Sequence, residues 1–217
     1  MGRLAIELIE TDIEINRKIR EALIKKVDRV MSTAVNKVTN PIRNIVKQKL
    51  LEQPEVRSLD GGILAAEFGL PDGGRRIEDI INFWVNNIIV SKKKATASRG
   101  QINAGLTINM IRRDFEDVLG LNSARITTEK GQELPWLEWL LKFGDRVIIR
   151  DYTVFFGGNG RRSSRSGKAV MVRSNSKSWG VPSAFAGTID DNFVTRALEE
   201  IEDDITGVFE TQLQRLV

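Results

Sequence analysis

Ile102-Asn103-Ala104-Gly105-Leu106-Thr107-Ile108-Asn109-Met110-Ile111 is the stretch on which the reading of the fold turns. Ile102, Ala104, Leu106, Ile108 and Met110 alternate with the other five residues, the period of a half-buried strand. Upstream the period is helical. Ile13, Ile19, Leu23, Val27, Val30, Ala34 and Val38 fall mostly three and four residues apart and make one apolar stripe, which predicts a helix over about 4–37. A helix that long with so narrow a stripe needs a partner, either the rest of the chain or another subunit.

Asn40-Pro41 reads as an N-cap followed by proline at the first helical position. A second helix is expected from there to Gln53, with Pro54 stopping it. Asp60 is expected to cap a short helix through Phe68, closed by Gly69. Asp72-Gly73-Gly74 reads as a turn, and Arg76 to Val85 as a helix through Ile77, Ile80, Ile81 and Trp84.

Downstream of these helices the pattern becomes mixed. Ile88-Ile89-Val90 is a short β-branched run, and the polar, basic Lys92 to Gly100 reads as an exposed hairpin connection. Short helices are expected at Asp114–Leu119 and Leu134–Leu141. The second is apolar nearly all round, so Trp136, Trp139 and Phe143 should lie in the core. Arg146 to Phe156 is the longest strand candidate, with Lys168 to Arg173 as its hairpin partner. Asp190 or Asp191 should cap a closing helix striped by Val194, Leu198, Ile201, Ile205, Val208, Phe209, Leu213 and Leu216. The expected fold is therefore α+β: long N-terminal helices, a small antiparallel sheet of about four strands with long hairpins, and a closing C-terminal helix. Residues 1–87 form the helical region and 88–217 the α+β core, together one structural unit.

Composition lowers the prior for catalysis. The 217 residues contain no His and no Cys, which removes the commonest general base, thiol nucleophiles, disulfides and most transition-metal ligand sets. No apolar run is long enough for a membrane span, and acids at Glu7, Glu10 and Asp12 interrupt any signal-like segment. The net charge is only +4, but it is unevenly placed. From Lys142 to Lys177 nine basic residues face two acidic ones, and from Ile189 to Val217 eight acidic residues face two basic ones. Opposed blocks of this kind suit a chain that packs against copies of itself or neighbours; equally, they describe a basic loop and an acidic helix that are merely solvated.

No catalytic, cofactor-binding or metal-binding residue is assigned. The loop from Gly157 to Lys168 has the wrong spacing for a phosphate loop, with Arg162 where the first glycine belongs and Ala169 in place of the hydroxyl. A strand rather than a helix is expected to follow it, so the anion-binding helix terminus is missing. Glu199 and Asp203 could face each other on a helix, but hard-cation sites draw ligands from several elements, and a solvated helix face accounts for them. The contact candidates are the two basic hairpin tips, Lys92, Lys93, Lys94 and Arg99 in one and Arg161, Arg162, Arg165 and Lys168 in the other, with Glu199 and Asp203 as acidic counterparts. The tip with Arg161, Arg162, Arg165 and Lys168 interleaves no aromatic residue, so it offers no platform for base stacking.

Gly131-Gln132-Glu133-Leu134-Pro135-Trp136-Leu137-Glu138-Trp139-Leu140-Leu141, the strand from Asp145 to Phe156, the Arg/Ser/Gly hairpin, and Val181-Pro182-Ser183-Ala184-Phe185-Ala186-Gly187-Thr188 before a last helix form an ordered series. This series, over roughly residues 100–217, resembles virion proteins of tailed bacteriophages. The resemblance is to the tail-completion or head–tail joining proteins of the neck. It departs from that group in spreading the Pro-Phe pair over Pro182 and Phe185 and in its long helical N-terminus, and tail terminators or other connector-ring proteins fit as well. The resemblance implies a structural protein without cofactor, made in the host cytoplasm and carried in the virion. It implies a homo-oligomeric ring, typically of six or twelve copies, bound to other neck, connector and tail proteins, with genomic DNA passing through the lumen. On that reading the acidic closing helix lines the lumen or meets a neighbour's basic hairpin. A nucleic-acid-binding protein using its basic hairpin tips is the reading from another class, and an enzyme with carboxylate–metal chemistry a third.

Overall fold

The computed structural model describes residues 11–128, 131–157 and 165–216. The chain divides into two compact units. One draws on residues 1–40, 89–109 and 207–217, and the other on 41–88 and 110–206. The fold is mixed helix and sheet, as the change of period predicts.

The expected break at Asn40-Pro41 does not occur. Helix α1 runs without interruption from Asp12 to Glu52 with Pro41 inside it. An internal proline removes one backbone hydrogen bond and costs about 3 kcal/mol. Against that stands a row at i,i+4 spacing, Ala34, Val38, Ile42, Val46 and Leu50, every member buried. Burying the four larger side chains contributes roughly 1.5–3 kcal/mol each, which outweighs the proline. The local rule loses to packing.

In the unit containing Pro41 to Ile88, Pro54 both stops α1 and opens α2 (Pro54–Leu59) as its first residue. The short helix expected from Asp60 through Phe68 is present as α3 (Ile63–Glu67), with Gly62 rather than Asp60 at its N-cap, because Asp60 closes α2 and Asp60-Gly61-Gly62 turns the chain between the two helices. Gly73 and Gly74 do not form a separate turn: they are the first residues of α4 (Gly73–Asn86), and Asp72 before them is left-handed at φ 55°. A Cβ on Gly73 would lie 2.4 Å from the Leu59 carbonyl oxygen, so glycine lets the α2 and α4 ends touch. Ile77, Ile80, Ile81, Trp84 and Val85 form the buried stripe of α4. Arg43 donates to the carbonyls of Asn86 and Ile88 at 2.9 and 3.0 Å, placing a cation on the carbonyl end of α4.

The rest of this unit is built from small pieces. After α5 (Glu116–Leu119), β3 (Ile126–Thr127) pairs with β4 (Glu133–Leu134). Helix α6 (Trp136–Lys142) buries Trp136, Leu137, Leu140 and Leu141, while Trp139 and Phe143 are half-buried at its border. The long strand expected over Arg146–Phe156 is broken at Arg150-Asp151, where Asp151 takes φ 59°. Its halves have different partners: β5 (Val147–Ile149) pairs with β8 (Trp179–Gly180), and β6 (Tyr152–Phe156) with β7 (Ala169–Arg173). Each of these pairs, like β3 with β4, is antiparallel and two-stranded, not part of one four-stranded sheet.

The closing helix is also two. Asn192, not Asp190 or Asp191, caps α7 (Phe193–Glu199), and a capping box with Thr195 completes it. A cap of this kind contributes about 1 kcal/mol. The chain turns at Glu200-Ile201 and continues as α8 (Glu202–Gln214), which has no buried residue. Glu202, Asp203 and Asp204 form the first turn of α8, where the helix dipole favours negative charge. Part of the acidic block thus has a local cause.

In the unit containing residues 89–109, β1 (Ile89–Ser98) and β2 (Gln101–Asn109) form a long antiparallel ribbon. Lys92–Ser98, expected as a loop, is therefore strand. The connection is only Arg99-Gly100, at φ 51° and 80°, the two positive values that a type I′ hairpin turn requires. Pairing with β2 satisfies a backbone whose side chains alone give no strand signal. A bulge interrupts the register between Lys93 and Thr96.

Candidate functional site

The ten sequence candidates fall into separate places. Lys92, Lys93, Lys94 and Arg99 lie along β1 and its turn, and all are exposed. Arg161 and Arg162 lie outside the described residues. Arg165 and Lys168 are described, and neither is free at a tip. Lys168 donates from Nζ to the Gly61 carbonyl at 2.8 Å, and Arg165 donates to the Phe68 carbonyl at 3.4 Å. Burial lowers the pKa of Arg165. These two cations anchor the base of their hairpin to the α2–α3 segment. Glu199 ends α7 and Asp203 begins α8. No group of three or more His, Cys, Asp or Glu that could hold a metal occurs among the described residues.

Beside the Arg165 anchor lies a cavity of about 270 Å³ that the sequence does not announce. Its aromatic wall is Phe68, Trp139 and Trp179. The Phe68–Trp179 ring centroids are 5.8 Å apart at 79°, and Trp139–Trp179 are 5.9 Å apart at 70°. Both are edge-to-face arrangements that add about 0.5–1.5 kcal/mol beyond area burial. The Trp179 indole Nε1–H donates to the Glu67 carboxylate at 2.6 Å. Burial raises the Glu67 pKa, and the indole hydrogen bond opposes the shift in part. Glu67 is thus engaged as an acceptor, and among the described residues lining the cavity Thr128 carries the hydroxyl and no Ser, Lys or Tyr is present. The arrangement holds the hairpin, α3 and α6 together.

A second polar centre is Glu55, 2% exposed on α2. Arg196 of α7 pairs with it and with Asp191, the latter at 2.8 Å. Glu55 Oε2 has no hydrogen-bond partner among the described residues. Arg196 therefore supplies the cation that a buried carboxylate needs as its partner. Sequence offers no signal for this pair, since its members are 141 residues apart.

In the other unit Asp28 of α1 does the joining. It accepts from the Ala95 amide at 3.0 Å and lies 3.8 Å from Lys92 Nζ, which also donates to the Asp28 backbone carbonyl at 3.2 Å. Ala95 sits in the β1 bulge. The interruption of the ladder leaves its amide for the carboxylate, and a bulge re-aims neighbouring side chains.

The apolar stripe of α1 is covered unevenly. Ile13, Ile19 and Leu23 are 80%, 52% and 45% exposed, whereas Ala34 and Val38 are buried. Among the described residues, no helix is long and apolar enough to cross a membrane. No family model matches the chain, and neither does any curated protein or solved structure.

Proposed function

We propose that the chain is a structural virion protein of a tailed phage and forms a ring in the neck, in tail completion or head–tail joining. Tail terminator or another connector-ring layer is the same reading at a different level of the neck. The uncovered half of the α1 stripe carries it. Ile19 and Leu23, one turn apart on the same face of α1, stand in water with Ile13 exposed one turn and a half before them, and an apolar face of that kind is buried when a partner is present. A copy of the same chain is the partner a ring supplies, in a heterologous contact that closes on itself. No cofactor and no chemistry is needed. Exposed acids at the start of α8 and exposed cations on β1 give copies and neighbours complementary charge.

Size-exclusion chromatography with light scattering, followed by negative-stain microscopy, tests the proposal. The expected result is a closed ring of one mass, six or twelve copies, which the double substitution Ile19→Gln with Leu23→Gln reduces to single chains. A single-chain mass for the unsubstituted protein at every concentration, and with purified tail tubes no binding, overturns it.

A further inference from the structure

We infer that the basic surface which Asp28 assembles from β1 and α1 binds the phosphate backbone of double-stranded nucleic acid without reading its sequence. The ribbon from Ile89 to Asn109 carries four basic residues and no acidic one. Among the described residues Lys92 is engaged, by Asp28. Lys93, Lys94 and Arg99 are exposed and have no ion-pair partner among the described residues. The Asp28–Ala95 hydrogen bond brings this strand to the turn of α1 that carries Lys25 and Arg29, both also exposed. Cations far apart in the sequence are thus gathered in one unit on two elements that Asp28 joins, and Asp28 itself is paired with Lys92.

The charge of the unit follows the same line. Residues 1–40, 89–109 and 207–217 contain thirteen Lys and Arg against seven Asp and Glu, a net of +6, and the remaining residues twenty against twenty-two, a net of −2. A modestly basic chain therefore concentrates its positive charge in one unit. Aromatic content decides which polyanion fits. Phe209 is the one aromatic residue in those three segments, and the ribbon has none. Unstacked bases find no platform there, so a single strand gains nothing beyond its phosphates. A duplex offers about one negative charge per 1.7 Å of axis and releases more counterions per contact. The surface therefore favours the duplex. Neither the inference nor its test requires that the chain form rings.

Fluorescence anisotropy of the full chain with a duplex of about 30 base pairs, and with one of its strands, between 50 and 200 mM salt, provides the test. Five cations at about 0.9 each give an expected slope of log K against log salt of about −4 to −5, with the duplex bound more tightly than the single strand. The triple substitution Lys93→Gln, Lys94→Gln, Arg99→Gln should make the slope shallower by about 2.7. Replacing both lysines by arginine should leave it unchanged. Light scattering of each variant must give the mass of the unsubstituted protein, which separates loss of binding from loss of assembly. Three results overturn the inference: no duplex binding at 50 mM salt, an unchanged slope in the triple variant, or tighter binding of polyglutamate than of the duplex, which would assign the surface to an acidic protein.

Discussion

The two units of this chain are stabilised in different ways. The twelve largest fully buried side chains, among them Trp84, Trp136, Phe193 and Leu59, all lie between Pro41 and Ile88 or between Met110 and Thr206. That unit has a closed aromatic and aliphatic core, a buried Glu55–Arg196 pair and a capped α7. The other unit consists of a helix half-clothed by apolar contacts, a two-stranded ribbon and the end of α8. Its buried apolar residues are small or few: Met31, Ala34, Val38, Val90 and Ala95. A ribbon of two strands is marginal in water unless it packs on something else. One unit therefore owes its stability to its own interior, and the other presents surface for contact.

Substitution should widen that contrast in order of effect. Trp84→Ala empties the centre of the larger core and should cost about 3–5 kcal/mol, read as a fall in the denaturation midpoint at constant slope. A loss below 1 kcal/mol would show that the core is not where the burial places it. Arg196→Ala leaves the Glu55 carboxylate buried without its cation. The expected loss is about 3 kcal/mol, at the low end for a buried pair because the arginine is partly exposed. Arg196→Ala with Glu55→Gln together should recover most of it, since the buried charge is then gone.

Glu67→Gln should act in the opposite direction. The folded state raises the Glu67 pKa, so folding favours the protonated carboxyl. Its relative stabilisation is complete below the unfolded pKa near 4.5 and is lost as pH rises through the folded value. The amide keeps an acceptor for the Trp179 indole and never ionises. The variant should match the unsubstituted protein at pH 4 and exceed it in melting temperature at pH 7. An equal difference at both pH values would remove burial as the cause. The smallest effect on stability belongs to Ile19→Gln with Leu23→Gln, within about 0.5 kcal/mol in the single chain, although the same pair should have the largest effect on assembly.

The helical stripes and several turns were legible because they depend on neighbours in the chain. The α4 stripe and the strand around Ile102–Met110 follow from periodicity, and α6 from a short run that is apolar nearly all round. The misreadings share one cause. Asn40-Pro41 carries the local signature of a helix start, yet α1 continues because the row from Ala34 to Leu50 is buried throughout. Lys92–Ser98 carries the composition of a loop, yet it is strand because β2 supplies its hydrogen bonds. Asp190 and Asp191 are better placed by composition than Asn192 as a cap only if the following turn is ignored, where Thr195 completes the box.

The candidate site divides in the same way. The basic character of the ribbon and of the Gly157–Lys168 segment is visible as charge in the sequence. Which cations are free is not. Arg165 and Lys168 are spent on the carbonyls of Phe68 and Gly61, whereas Lys93, Lys94 and Arg99 remain open to solvent. The Phe68–Trp139–Trp179 wall and the Glu67 acceptor gave no local signal, because their contacts join residues as much as 112 apart.

By itself the sequence determined the absence of His and Cys side chains, the mixed helix-and-sheet character, the long striped helix and the opposed charge blocks. All of these are properties of composition or of spacing within a few residues. Only the tertiary structure decided that the polar basic segment is a ribbon, that Asp28 joins it to α1, that Pro41 lies inside a helix, and that the first half of the stripe is bare. Each of these is an outcome of competition between a local preference worth a few kcal/mol and contacts from distant residues, whose sum no single segment carries.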